Sequence, residues 1–375
     1  MTNWDFDTVV IGAGVIGISV AAAIAARGQS VLVMEAGNHP GEETSARNSE
    51  VIHAGLYYPT GSLKHRFCTA GRRMLYDYMD RSGIAYMKSG KLIVATSDAE
   101  EEQLTAILAL GTVNEVEGLE RISGAQMARL EPALLAQSAL RSRETGIFDS
   151  HGFLQCQLAV LEAHGGLLVL RTPFEAAEAL ASGFRVRTGG SDPTAFTTRR
   201  LVNAAGLWAP DIAHSIEGMP KEAVPEQWLA KGSYFRLTGR APFSHLIYPV
   251  PVDGGLGVHA TFDLGGAVRF GPDVEWLPRG TKPSEVNYNV DLMRKEAFEV
   301  AIRRYWPDLP PGRLEPDYSG VRPKLRGPDE GFYDFDLQTE ETHGISGLVN
   351  LFGFESPGLT SSLAIADAVA IDMMP

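Results

Sequence analysis

Four residues near the start of the chain have the types and spacing for one piece of chemistry. Gly12, Gly14 and Gly17 follow a short β-branched run, Thr8 to Ile11, and Glu35 closes a second apolar run 18 residues after Gly17. A Gly-x-Gly-x-x-Gly turn between strand and helix lets the backbone come close to a pyrophosphate and lets the helix pack tightly on the strand. The free N–H groups at the start of that helix, beside Val15 and Ile16, then face the negative charge. Glu35, followed by Ala36, is placed to accept the ribose hydroxyls and to repel a 2′-phosphate. The pattern predicts a site for an adenine dinucleotide. By itself it does not separate NAD from FAD.

Later segments favour FAD. An NAD dehydrogenase usually continues with regular βα units, whereas this chain enters an irregular loop, "TSARNSEVIHAGLYY", from Thr44 to Tyr58. Its small, polar front half suits a backbone lying against a cofactor, and its back half carries His53. A second small-residue turn, at Ala204, Ala205 and Gly206, follows the strand in "RRLVNAAGLWAPDIA". A third lies in "GLVNLFGFESPGLTSSLAIADAVA", where a strand from Leu348 to Phe352 leads through Gly353 and Gly358 into a helix beginning near Thr360. A helix N-terminus there can face another electronegative part of a cofactor. Three such turns, spread along the chain, suit one large cofactor spanning an interleaved domain. No Ser/His/Asp arrangement or metal-ligand spacing competes with this reading.

The elements that must position these turns are readable in outline. The chain has 375 residues, 44% hydrophobic and 21% charged, with 40 Gly and 22 Pro, enough for about two domains. A net charge of −13 argues against a nucleic-acid partner. Cys68 and Cys156 show no metal-knuckle spacing and suit a reduced compartment. The opening "MTNWDFD" has acids and no Lys or Arg, unlike a signal peptide, and the apolar run after it is broken by the three glycines. A soluble, cytoplasmic protein is expected, and peripheral contact with the inner face of a membrane is compatible with the sequence. Helices are predicted from Val15 to Arg27, from Ser62 to Arg81, through "DAEEEQLTAILAL", and from Val290 to Tyr305. "KGSYFRL", "HLIYPVP", "GLGVHATFD" and "AVRFGPD" alternate with turn residues, as strands of an antiparallel sheet do.

Taken together, the fingerprint, "SARNSEVIHAGLYYPTGSLK", "NAAGLWA", "LIYPVP", "LGVHAT", "SGVRPKL" and "SPGLTSSLAIA" resemble the D-amino-acid-oxidase-like FAD-dependent oxidoreductases. Within them the chain is most similar to the L-2-hydroxyglutarate oxidase/dehydrogenase group. The resemblance covers nearly the whole chain, with the motifs in order. It implies an α/β (α+β overall) fold, in which a Rossmann-like FAD domain is interleaved with a discontinuous substrate domain on an antiparallel sheet. The expected bounds are 1–88, 147–218 and 318–375 for the first and 89–146 and 219–317 for the second. By the same resemblance Gly12, Gly14, Gly17 and Glu35 match the adenine-dinucleotide positions. Ser45, Arg47 and Asn48 match the loop along the pyrophosphate and ribityl chain, and Phe174 the position whose backbone meets the adenine. Ala205 and Gly206 match the second turn. Gly353, Ser356, Pro357, Gly358 and Leu359 match the loop beside the flavin pyrimidine. Thr44, Ser49, Val51, Ala204, Trp208, Arg322, Glu355 and Thr360 complete the expected cofactor contacts. The chain departs from the group at Glu50, where Gly is common, and at Gly358-Leu359, where alanines are.

The resemblance implies hydride transfer from a substrate C–H to flavin N5. The substrate it favours is L-2-hydroxyglutarate, going to 2-oxoglutarate. Another 2-hydroxy acid, an amino acid or glycerol 3-phosphate are alternatives, as is a non-catalytic FAD-binding subunit. Such an oxidation needs a cation for the carboxylate and a base for the hydroxyl proton. Arg322 is the expected clamp, since a planar guanidinium binds a carboxylate through two bonds. Lys231 and Arg269 are candidates for a second acidic group. His53 and His259 are the candidate bases, histidine being the side chain that titrates near neutrality. Tyr57, Tyr234 and Tyr248 are candidates for the pocket wall. The electron acceptor (oxygen, a quinone or a carrier protein) is left open.

Overall fold

The computed structural model describes residues 4–251, 257–328 and 330–373. Two large sheets dominate it. In the first, strands Phe6–Ile11, Val31–Met34, Leu167–Val169, Ala195–Asn203 and Leu348–Phe352 run parallel, with Phe6–Ile11 between Val31–Met34 and Ala195–Asn203. Their continuous apolar runs reflect burial on both faces: Val9, Val10, Val33, Leu201 and Val202 are all fully buried. Helix Val15–Ala25, apolar all round, fills one side and packs against helix Gly358–Asp372 through Ile18, Ile365 and Val369. An antiparallel meander, Phe174–Leu180, Gly183–Thr188 and Ala195–Asn203, extends this sheet beyond anything expected from the sequence. Strand Asp336–Gln338 flanks it antiparallel to Leu348–Phe352.

The second sheet holds nine strands. Trp228–Leu237 pairs antiparallel with Leu314–Lys324 along nearly its whole length and also with Val268–Phe270 and Glu275–Trp276. The sheet continues through Ala260–Phe262, Leu246–Pro249, Lys91–Ala95, Ser138–Ser142 and Leu119–Ser123. One pairing is parallel: Lys91–Ala95 against Leu246–Pro249, where two segments far apart in sequence meet. The boundary expected at residue 318 falls inside strand Leu314–Lys324, which belongs wholly to this sheet. A small third sheet joins Val51–Ile52, Gly146–Phe148 and Tyr86–Met87.

Local signals mostly act as their chemistry dictates. Ser62 caps helix Leu63–Ser82 by accepting from the His65 N–H, and Gly83, at φ 69°, ends it. The short helix Gly124–Leu130 starts with a reciprocal Ser123–Gln126 capping box and stops before Pro132. The helix expected from Val290 divides into a tight turn at Leu292–Arg294 and helix Lys295–Arg303. The start of "GLGVHATFD" lies outside the described residues, and the strand within it begins at Ala260, one residue after His259.

Candidate active site

The turn after the first strand is as tight as its three glycines allow. Gly12 has φ 98°, and a Cβ there would lie 2.7 Å from the Ala204 carbonyl oxygen. On Gly17 it would meet the Gly12 carbonyl oxygen at 2.0 Å, so any side chain would force helix and strand apart. On Gly14 it would meet the Ser45 hydroxyl at 3.0 Å. That hydroxyl accepts from the Val15 N–H at 3.0 Å, tying the irregular loop to the helix start. The Glu35 carboxylate accepts from the Ala13 and Gly37 N–H groups, both at 2.7 Å, which fixes it at the strand end.

These turns open on a cavity of about 810 Å³ that draws on all three Gly-rich segments. Gly12, Gly14, Val15, Ile16, Glu35 and Ala36 line it, as do Thr44, Ser45, Arg47, Asn48, Ser49 and Val51. Phe174 joins from the start of strand Phe174–Leu180, Ala204, Ala205, Gly206 and Trp208 from the second turn, and Glu355, Ser356, Pro357, Gly358 and Leu359 from the third. Gly17 and Thr360 act behind the wall: Gly17 by close packing, and Thr360 by accepting from the His53 N–H at 3.0 Å and donating to the Val51 carbonyl. Gly353, at φ 69°, makes the bend before the third turn. The backbone approach at Gly12 and Gly17, the helix start and a cavity that draws on all three turns fit an adenine dinucleotide with an extended ring system.

The loop is stitched to the strand that carries Arg322. Thr44 donates to the Val321 carbonyl at 3.2 Å, Arg47 donates to that of Ser319 at 3.2 Å, and the Tyr318 hydroxyl donates to that of Asn48. A Cβ on Gly320 would meet the Arg47 carbonyl oxygen at 2.3 Å, which explains the glycine in "SGVRPKL". Arg322 therefore reaches the cavity at a fixed place. It donates to the Asp273 carbonyl oxygen at 3.0 Å. The Asp273 carboxylate is occupied by Arg294 and by the Ser233 N–H, and among the described residues Arg322 forms no ion pair with a carboxylate.

Both candidate histidines line the cavity. His53 is half-buried, its Nε2 3.2 Å from the Ser356 hydroxyl. Burial and the charge of Lys91 hold its pKa down to about 3, so the imidazole is neutral near pH 7. His259 is 4% exposed and stacks on Tyr248, with ring centroids 3.5 Å apart and planes 13° apart. Tyr248 and Tyr234 also line the wall, and burial pushes both hydroxyl pKa values up, that of Tyr234 to about 12.

Three expected substrate contacts stand elsewhere. Lys231 spends its ammonium on the Asn289 carbonyl oxygen at 2.6 Å, and Arg269 is held between Asp317 and Asp263 beside a separate pocket of about 190 Å³. Tyr57 sits behind the wall, its hydroxyl 3.4 Å from the Lys91 ammonium. None of the three lines the main cavity. Glu50 has φ 54°, a conformation that favours glycine, and its carboxylate accepts from the Ser150 hydroxyl at 2.6 Å at the start of helix Ser150–Ala163. Its contacts with Ser150 give this acid a structural role at the helix start.

Sequence reading missed the group around Glu355. This carboxylate, 7% exposed, takes both Lys64, at 3.2 Å, and Lys324, at 3.1 Å, on one oxygen. Burial pushes its pKa up, but Lys64, Lys324 and Arg322 more than cancel that and hold it below the ordinary glutamate value. "SLK" and "RPKL" contain both lysines, yet nothing in either pattern says that they converge.

Nucleotide turn, flavin-sized cavity and roofing sheet together define an FAD-dependent oxidoreductase. Residues 7–370 match the family model described as FAD dependent oxidoreductase, and the chain belongs to that family. Its cofactor is FAD. The mitochondrial L-2-hydroxyglutarate dehydrogenase of Arabidopsis thaliana is 45% identical over 97% of this chain and 82% of its own length. The L-2-hydroxyglutarate dehydrogenase of Escherichia coli K12 is 26% identical over 88% and 85%. Among solved structures, FAD-bound L-α-glycerophosphate oxidase of Mycoplasma pneumoniae superposes with a TM-score of 0.87 at 23% identity, over 98% of this chain and 94% of that one. Glycine oxidase of Geobacillus kaustophilus gives 0.80 at 18%, over 99% and 95%. These two likenesses carry the fold alone.

Proposed function

We propose that the chain oxidises L-2-hydroxyglutarate to 2-oxoglutarate. The observation that carries the reading is chemical: the Arg322 guanidinium, in no ion pair among the described residues, and two imidazoles line the same cavity beside the third Gly-rich turn. When bound, FAD supplies the acceptor for a hydride from the substrate α-carbon. Gly12, Gly14, Ser45, Glu35 and the 355–359 loop are the residues that hold it. Arg322 binds the α-carboxylate through two N–H donors. His53, neutral at working pH, or His259 takes the hydroxyl proton as the C–O bond becomes C=O. Tyr234 and Tyr248, both buried, exclude water from that side. The division into an FAD part, 1–88, 147–218 and 318–375, and a substrate part, 89–146 and 219–317, belongs to the same proposal, with strand Leu314–Lys324 counted with the sheet of the substrate part. The identity of the Arabidopsis relative supports the choice of substrate.

The test is anaerobic mixing of the FAD-loaded protein with L-2-hydroxyglutarate, its D-enantiomer, glycerol 3-phosphate and glycine, read as loss of visible flavin absorbance. Rapid bleaching by the L-hydroxy acid alone is expected. Bleaching by glycerol 3-phosphate or glycine instead would overturn the substrate and leave the cofactor standing.

A further inference from the structure

One buried charge near the site has entered so far only through its effect on His53. Lys91 opens strand Lys91–Ala95 and is 1% exposed. Burying an ammonium is costly unless a carboxylate or several acceptors compensate for it. Among the described residues, no carboxylate lies within ion-pair reach of Lys91. What surrounds it is aromatic. Its ammonium is 3.4 Å from the Tyr57 hydroxyl, 4.8 Å from the Tyr57 ring centre and 4.5 Å from that of Tyr248. Ring faces stabilise a desolvated cation by about 2 kcal/mol or more, which offsets only part of the several kcal/mol that burying an ammonium costs.

The placement follows from register. Lys91 pairs with Leu246 in the parallel ladder, and Tyr248 lies two residues further on the same face. Tyr248 is thus a plate with an ammonium against its ring and the His259 imidazole stacked on it. Tyr248 and His259 line the cavity, whereas Lys91 does not. The titratable groups facing Lys91 are Tyr57, Tyr248, Cys68 and His53. Burial raises the first three, Cys68 to about 12, so all stay neutral near pH 7, and His53 is neutral as well. No group facing Lys91 cancels its charge. The cations that do line the cavity are Arg47 and Arg322, and Arg47 is engaged with Ser319 and the ring of Tyr288.

We propose that Lys91 is a positioning residue of this site: it holds the Tyr248–His259 stack in the cavity wall and supplies, from behind that wall, the second positive charge that a dicarboxylate substrate needs. This rests on the reading of the substrate as a small hydroxy dicarboxylate. A unit charge one side-chain layer away, at an effective dielectric near 20, changes affinity for an anion by roughly tenfold or more. Burial lowers the Lys91 pKa to about 7. Its charge is then present below that value and lost as pH rises through it. The free-enzyme profile, kcat/KM against pH, should therefore fall above neutrality.

The experiment uses FAD-loaded protein and first establishes which acid bleaches the wild type, so failure of the substrate reading shows before any variant is read. With that acid, Lys91→Met should raise KM at pH 6.5 roughly tenfold, change kcat less, and remove the fall of kcat/KM above neutrality. Lys91→Arg, which keeps a charge that does not titrate, should restore most of the affinity and leave the profile flat to higher pH. Unchanged KM and an unchanged profile in Lys91→Met would overturn the proposal. So would equal losses in both variants, since they would mark a packing role alone.

Discussion

Replacing Glu355 by Gln removes one charge from a buried three-member group and leaves two ammonium groups facing each other. Lys64 and Lys324 both contact the same carboxylate oxygen, at 3.2 and 3.1 Å, so their nitrogens are at most about 6 Å apart. At an effective dielectric near 20, two like charges at that separation repel by about 3 kcal/mol. Breaking a buried pair by removing one partner costs about 3–5 kcal/mol in the cases measured. Unfolding entropy of about 2.1 cal/mol/K per residue turns a loss of 4 kcal/mol in this 375-residue chain into a drop in Tm of about 5 °C. Calorimetry on the FAD-loaded wild type and Glu355→Gln at pH 7 reads it directly. The pH dependence has a fixed sign. Glu355 is held below the ordinary glutamate value, so its contribution is complete above that value and is lost as pH falls through the lower folded one. The two proteins should therefore converge in acid. A Tm within 1 °C of wild type at pH 7, or a gap that widens in acid, would refute the electrostatic account.

Gly17→Ala should weaken FAD binding by roughly tenfold or more, because overpacking costs about 1–3 kcal/mol and the obstructing atom is backbone; titration of apoprotein with FAD measures it. Arg322→Ala should lower kcat/KM roughly 100-fold, mostly through KM, as loss of a two-point charge-assisted contact does; steady-state kinetics with unchanged constants would remove its clamp role. His53 is neutral when folded down to about pH 3 and charges near 6.5 when unfolded, so it costs stability as pH falls below 6.5, about 2 kcal/mol by pH 5. Denaturant titrations of wild type and His53→Gln at pH 7.5 and 5 should show the variant gaining on the wild type in acid.

What was legible in the sequence was local. The glycine spacing reads directly because a tight turn and a close helix need residues without Cβ, and 2.0 Å at Gly17 leaves no other choice. Helix starts at Ser62 and Ser123 are legible for the same reason, since cap and helix are neighbours in the chain. Charges were not, because the partner of a charge is set by the fold. Arg269 reads as a free cation until Asp263 and Asp317 are brought to it, and Lys231 until a backbone carbonyl is. Lys64, Lys324 and Glu355 come from three distant segments. Glu50 reads as an anomaly near the substrate, and it becomes an acceptor at a helix start only when Ser150 arrives beside it. The meander from Phe174 to Asn203 was hidden by alternating polar residues on a half-exposed sheet, whose pattern is weaker than that of the buried parallel strands.

The pairing of helices Val15–Ala25 and Gly358–Asp372, far apart in the chain, has a consequence for synthesis. Helix Gly358–Asp372 lies against helix Val15–Ala25, and Gly71 of helix Leu63–Ser82 approaches it so closely that a Cβ would sit 2.5 Å from the Thr360 carbonyl oxygen. The nucleotide turn is translated more than 300 residues before the wall that closes on the ring system. A ribosome making about 5–20 residues per second holds the chain in that half-built state for tens of seconds. During that interval the apolar faces of Val15–Ala25 and the first sheet stay uncovered and FAD has only half a seat. The full seat for FAD therefore exists only once the third Gly-rich turn has been made.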